Sequence, residues 1–388
     1  MDRYSFSMNI PNGIHRRARR LGLLFQLVIG GILLLILSAC TALPGYLFPT
    51  PEPTRQIISS TLPLTVKWQV TESERFRYLP FVYEDFLFTR SKTTLTVRDA
   101  KTGNELWTET AGSFIGDVPL IDAQDNVLAF AEEGDRVIKV LDLRQLKVLW
   151  TRGTGLGLSP WMNSLSIDGD GVYASWWRPS HVEKYDLKTG ALVWRQGGGT
   201  WGVTGPLVPY GDNLYVFDDR VVHILDKKTG ALTREYDGRG VVQGREDMFL
   251  ELSASQLRAR NLQTGNMLWQ VPLNDSCGSV WGIVDGRVYA TSECNRLLML
   301  DAGTGRVIWR DYFGAEIHSP VIEIGSIGYV MLRDGTVIGF DVTTGKKIGE
   351  LVTSPATTSP LYHDGGLATD GNMLFVTFAD HQLFALGK

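Results

Sequence analysis

One block recurs along this chain: Asp, two residues, Thr-Gly, three residues, Trp. It stands as Asp99 to Trp107, Asp186 to Trp194 and Asp301 to Trp309, and with Asn at its head as Asn261 to Trp269. Asp142 to Trp150 keeps both ends but has Leu146 where the others have glycine. Asp226 to Arg234 and Asp341 to Gly349 keep the Asp and the Thr-Gly and lose the Trp. The heads fall at 99, 142, 186, 226, 261, 301 and 341, in steps of 35 to 44 residues. A period of that size means one supersecondary unit used many times over.

Each part of the block has a physical role. Residues before the Asp alternate with the period of a strand, as in Leu95-Thr96-Val97. The Asp carboxylate starts a turn by accepting from backbone N–H groups just ahead. The glycine supplies the positive φ that a short hairpin loop needs. Alternation then resumes and ends on a large aromatic that can cover a neighbour. Upstream of the hairpin comes a small residue followed by Pro, as in Ser159-Pro160, Gly205-Pro206, Ser319-Pro320 and Ser359-Pro360, then another strand–turn–strand. Four short strands in about forty residues make one blade of a propeller.

An eighth copy is split between the chain's ends. Leu383 to Leu386 matches Leu297 to Leu300 and then stops, while Leu64 to Val70 supplies a last strand with Trp68. The fold predicted is all-β: an eight-bladed β-propeller of four-stranded blades, closed by pairing of the N-terminal strand with the last blade. Closure of this kind removes open edges. A seven-bladed ring is the alternative if that strand joins a different sheet.

The N-terminus reads as an export signal. Arg16, Arg17, Arg19 and Arg20 precede an apolar run from Leu21 to Leu37, which ends in Leu37-Ser38-Ala39-Cys40. A cysteine directly after Leu-Ser-Ala resembles the bacterial lipobox, whose thiol takes a diacylglycerol before cleavage. The expected division is a lipoprotein signal peptide over 1–39, lipidated Cys40 with a Pro-rich tether over 40–60, and the propeller over 61–388. The alternative for the apolar run is a retained transmembrane anchor at the short end of the spanning range. Both leave the bulk of the chain outside the cytoplasm, because the Arg cluster stays inside. The expected location is lipid-anchored and extracytoplasmic, on the outer membrane if the cell has one and otherwise on the outer face of the cytoplasmic membrane. Pro44, Pro49, Pro51 and Pro53 stiffen the tether, which at about 3 Å per residue reaches roughly 50 Å. The first 40 residues hold five Arg and one Asp, so the overall charge of −4 leaves the remainder at −8. That acidity argues against a nucleic-acid partner.

The repeats and their aromatic resemble the PQQ-like repeat propellers, in which the Trp docks between adjacent blades. The resemblance covers nearly all of the chain after the signal and assigns the docking role to Trp68, Trp107, Trp150, Trp194, Trp269 and Trp309. Arg234 and Gly349 depart from it, so two junctions should pack differently. One branch of these propellers holds pyrroloquinoline quinone and Ca²⁺ in its funnel, with two adjacent cysteines, carboxylate and amide ligands, and an Asp base. Here Cys40, Cys277 and Cys294 form no adjacent pair, and the repeat steps leave little room for the long insertions that wall such a funnel. Asp117 and Glu316 fall just before inner strands, but Ca²⁺ needs six to eight oxygens. The other branch is cofactor-free lipoproteins of the BamB type, scaffolds in outer-membrane β-barrel assembly. No cofactor and no metal site are expected.

The remaining chemistry is sparse. The histidines, at 15, 181, 223, 318, 363 and 381, show no metal-ligand spacing. His223 lies in an alternating strand and should be packed or hydrogen-bonded. No nucleophile elbow, phosphate loop or dinucleotide fingerprint occurs. Cys277 and Cys294, in one blade and outside the cytoplasm, are a candidate disulfide. Trp161, Trp201 and Trp281 fall at the starts of inner strands and, with Glu316 and His318, form a candidate recognition rim at one mouth of the channel. The expected function is a non-enzymatic scaffold or binding propeller anchored at the cell envelope, with an envelope protein as partner. The alternatives are a quinone-dependent dehydrogenase and an extracellular sensor or glycan-binding propeller.

Overall fold

The predicted turns are built as the block requires. In this computed structural model Asp99 Oδ1 accepts from Thr102 N at 2.7 Å and from Thr102 Oγ1 at 2.9 Å, and Gly103 N donates to the Asp99 carbonyl at 2.8 Å. The same bonds recur at Asp186, Asp226, Asp301 and Asp341. Hydrogen bonds from the Thr side chains hold the Asp186, Asp226, Asp301 and Asp341 carboxyls below the ordinary carboxylate range. The Thr-Gly glycines sit at φ of +65 to +74°, where a side chain is disfavoured. Leu146 takes the same place at φ 52°.

The structure describes residues 56–110, 121–132, 137–153, 162–177, 180–197, 203–218, 220–237, 241–245, 247–253, 256–273, 279–293, 295–353, 365–378 and 381–388. These form eight antiparallel sheets. Blades 1 to 7 span Phe81–Thr110, Ile121–Gly153, Met162–Gln196, Val203–Asp237, Val241–Pro272, Ser279–Tyr312 and Ile322–Thr353. Blade 8 takes three strands from Gly365–Gly387 and its outermost, Thr65–Thr71, from the other end of the chain, so the ring closes as predicted. First strands of neighbouring blades meet from blade 2 through to blade 6, between blades 7 and 8, and between blades 8 and 1. Second and third strands are almost wholly buried, because both their faces lie against other blades.

Each outermost strand carries a bulge. The register slips just before the docking position, leaving Lys67, Leu106, Leu149, Val193, Thr233, Leu268, Ile308 and Ile348 as the extra residues. A bulge twists and blunts an edge. It also turns the next side chain onto the neighbouring blade. The Nε1 atoms of Trp68, Trp150, Trp194, Trp269 and Trp309 donate to the carbonyls of Ala100, Leu187, Lys227, Ala302 and Val342, at 2.7 to 3.1 Å. Their rings lie over Gly103, Gly190, Gly230, Gly305 and Gly345, where an added Cβ would come within 2.6 to 2.7 Å. Trp107 meets Phe130 of blade 2 edge-on, with ring centroids 5.9 Å apart.

The two departures from the block are filled in different ways. Arg234 is replaced by Tyr236, two residues on and on the same strand face. Its ring lies over Gly265, and its hydroxyl donates to the Leu262 carbonyl at 2.8 Å. At Gly349 the chain itself takes the space: a Cβ there would lie 2.4 Å from the Thr61 carbonyl oxygen. Leu62 and Leu64 pack beside it into a core shared with Leu351 of blade 7 and Leu367 and Phe384 of blade 8. This corrects the expected tether boundary. Ile57–Ser60, read as tether, is a fifth strand on blade 7, pairing with Leu351–Thr353 beyond the bulge. Four residues without strong alternation carry little strand signal of their own; the open edge of blade 7 supplies it. The signal segment and Cys40 lie outside the described residues.

Two substitutions test this packing. Trp150→Ala empties a buried inter-blade space and should cost about 3–5 kcal/mol in denaturant unfolding, whereas Leu106→Ala, on an exposed bulge, should change stability by no more than about 0.5 kcal/mol. Gly349→Ala should lift the 57–62 segment, read as faster hydrogen exchange of the Thr61 amide, which donates to Glu350 O at 2.8 Å.

Candidate functional site

Strand order divides the connections between two faces. Turns between first and second strands, and the Asp-x-x-Thr-Gly turns, share one face. Turns between second and third strands, and the crossings from one blade to the next, share the other, here the loop face. The 316–320 segment, between blades 6 and 7, lies on the loop face. Of the candidate rim residues, Glu316 and His318 are described in full. Glu316 pairs with Arg333 at 2.6 Å, both half-exposed. His318 N donates to the Met331 carbonyl at 2.8 Å, and Met331 N donates to Ser319 Oγ at 2.8 Å. An isolated bridge between Ile317 and Leu332 completes a clip that holds 316–320 onto blade 7. Trp161, Trp201, Cys277 and Cys294 lie outside the described residues. Trp281 sits in the strand Ser279–Val284, and its side chain is outside them too.

Below the loop face the blades carry buried polar and charged groups, of which the sequence had distinguished only His223. Glu183, fully buried, accepts from Trp176 Nε1 at 2.9 Å, from Arg195 Nε at 2.7 Å, and from the Tyr185 hydroxyl. Burial works to raise its carboxyl, but bonds from His181, Tyr185 and Arg195 and the Arg195 charge outweigh it and bring the pKa to about 2. Lys139 bridges two blades, with Glu132 and Glu109 each 2.6 Å away. Burial opposes its charge; the two carboxylates prevail and raise its pKa. His223 lies between Glu235, at 2.6 Å from Nδ1, and Asp218, at 3.5 Å from Nε2. Asp122, in the first strand of blade 2, accepts from Ile167 N at 2.7 Å and Ser166 Oγ at 3.2 Å in blade 3. Burial pushes that carboxyl up against the pull of its three donor groups. The available signal was polar residues at buried parity within strands, such as Glu183 between Val182 and Lys184.

Lys139 and Asp122 tie neighbouring blades together, while the Glu183 and His223 groups each brace a single blade. A carboxylate whose pKa is about 2 is a poor general base at neutral pH. Glu316 is engaged by Arg333. Among the described residues no three His, Cys, Asp or Glu side chains come together as a metal-holding group.

With the ring and its faces established, the relatives of the chain take on meaning. The profile of the family described as "Outer membrane protein assembly factor BamB" matches residues 62–175 and 253–388. The chain belongs to this family. A curated relative, the outer membrane protein assembly factor BamB of Nitrosomonas eutropha, is 28% identical over 149 residues, covering 36% of this chain. That match spans about a third of the relative's length. Among solved structures, BamB from Moraxella catarrhalis superposes with a TM-score of 0.62 at 17% identity, over 84% of this chain and 100% of that one. Quinohemoprotein alcohol dehydrogenase from Comamonas testosteroni gives 0.62 at 12% identity, over 84% of this chain and 76% of that one. The computationally designed protein Ika8 gives 0.64 at 14% identity, over 82% and 98%. At such identities the structural likenesses speak for the fold alone.

The Glu183 network carries a pH prediction. Its folded pKa is depressed, so the ionised carboxylate stabilises the fold above the ordinary carboxylate range. That contribution is lost as the pH falls toward about 2. Glu183→Ala should cost about 3–5 kcal/mol at neutral pH by stranding its buried donors, and urea melts of the variant should lose part of the wild-type acid sensitivity between pH 4 and 2.

Proposed function

We propose that the chain is a non-enzymatic scaffold of the cell envelope, anchored through Cys40, that holds a protein partner on its propeller and serves outer-membrane protein assembly in the manner of its family. The observation that carries this reading is the family match on both arcs of the ring, residues 62–175 and 253–388. The chemistry of the described blades supports it. Their carboxylates are spent on ion pairs and on backbone and hydroxyl donors, which suits a rigid surface better than proton transfer. Likeness to a quinohemoprotein dehydrogenase is likeness of fold, and fold does not carry function. The loop face, with Glu316 and His318 clipped in place on it, is the surface we assign to the partner.

The test uses the full chain in its own cells. Cross-linking in intact membranes should capture an envelope protein, and Cys40→Ala should release the propeller from the membrane fraction and weaken that capture. Deletion of the gene should lower the levels of outer-membrane proteins. An unchanged envelope profile after deletion would sink the assembly reading. Alcohol turnover on addition of pyrroloquinoline quinone and Ca²⁺ would replace it with the dehydrogenase.

A further inference from the structure

We propose that Arg90 anchors a binding site for an oxyanion, the carboxylate of a peptide or a phosphate group, at the loop-face end of blade 1. Arg90 closes the strand Phe86–Arg90 and is only 6% exposed. Its guanidinium lies over the ring of Tyr78, 4.2 Å from the centroid. Stacking of this kind occupies the flat face of the group and leaves the N–H edge for contacts in the plane.

Buried charges elsewhere in the described residues meet an opposite charge. Arg98 meets Glu72, Glu132 meets Lys139, Glu183 meets Arg195, Lys184 meets Asp170, and Glu251 meets Arg260. Arg90 meets no carboxylate among them. Glu74, which reaches the turn just after Arg90, is engaged there: it accepts from Thr93 Oγ1 at 2.5 Å, from Thr93 N at 3.2 Å and from Ser91 Oγ. Thr89 and Ser91 line the small hollow that contains Glu74, so strand alternation sends Arg90 to the opposite face. The Arg90 backbone is fixed as well, its carbonyl accepting from Arg77 N at 3.1 Å, which keeps the segment carrying Tyr78 alongside.

A cation withdrawn from water without a counter-charge is costly. Burial depresses the Arg90 pKa to about 10, which reflects the same cost. Neutralisation by proton loss is closed to it at neutral pH. A planar fork of N–H donors fits a carboxylate or a phosphate with two parallel bonds. The site is thus one half of an ion pair, already oriented. The inference rests on this local geometry and stands apart from the choice of partner protein.

The experiment titrates the full-length, detergent-solubilised protein by calorimetry with inorganic phosphate and with a short acetylated peptide bearing a free C-terminal carboxylate. The peptide's amidated form is the control. Wild type should bind phosphate or the carboxylate peptide saturably, and the probe that binds identifies the source of the anion. The amide should not bind. Arg90→Met keeps the volume and removes the charge, and should weaken binding at least about tenfold, the loss of a charge-assisted pair. Arg90→Lys, which keeps the charge and loses the fork, should fall between and serves if the Met variant fails to fold. Binding of neither probe by wild type, or equal binding by wild type and Arg90→Lys or Arg90→Met, would overturn the proposal.

Discussion

The ring depends on one contact repeated around it: an aromatic ring from the outer strand of one blade laid over the Thr-Gly turn of the next. The contact demands several things at once. Where the indole lies on the turn, the turn presents a bare glycine, because a Cβ at Gly190 or Gly305 would enter the ring; at blade 2, where Leu146 stands in the turn, Trp107 meets Phe130 edge-on. The turn carbonyl must be unclaimed so that it can accept from the indole N–H, as Leu187 and Ala302 do. The outer strand must bulge, so that the ring turns onto the neighbour while the residue before it faces outward. The bulge also answers a hazard of propellers, since every blade ends in an open edge. One distortion both aims the joint and spoils the edge.

The junctions that lack the tryptophan show which part of the contact is essential. At blade 4 the surface is kept and the residue changed: Tyr236 covers Gly265 and donates to the same kind of carbonyl. Between blades 7 and 8 the aromatic is absent altogether, and the entering chain fills the space with Thr61 and Leu62. Blade 7 therefore bears a fifth strand, and the ring is fastened twice near its seam, by Ile57–Ser60 on blade 7 and by Thr65–Thr71 on blade 8. Beneath the loop face, Lys139 pairs with Glu132 of its own blade and crosses to Glu109 of blade 1. Polar chemistry in this family member serves first to hold the ring rigid. Rigid rings offer loops as a recognition surface, which agrees with a scaffold.

The repeat and the hairpin turns were legible in the sequence because each is local, and the closing strand because two half-copies of the block stand at the ends of the repeat array. Asp, Thr and Gly at set spacing determine a turn whatever surrounds it, and a period near forty determines a blade. The sequence showed that the Arg234 junction must pack differently, but the stand-in at Tyr236 appears only in the structure. The fifth strand was not legible either. Ile57–Ser60 has no pattern of its own and becomes a strand only where blade 7 leaves an edge open to it. Glu183 and Arg90 were likewise hidden, since a charged residue inside an alternating strand looks the same whether it faces water or another blade.

By itself, then, the sequence determined the unit and the tryptophans that join most units to the next, because these follow from backbone geometry over a few residues; it left seven blades open beside eight until the entering strand was placed. Tertiary structure alone decided what replaces a missing tryptophan, which charges are buried, and which of those find a partner. Those outcomes depend on side chains brought together from distant repeats, as Glu72 is to Arg98 and Thr61 to Gly349. No spacing along the chain encodes that proximity.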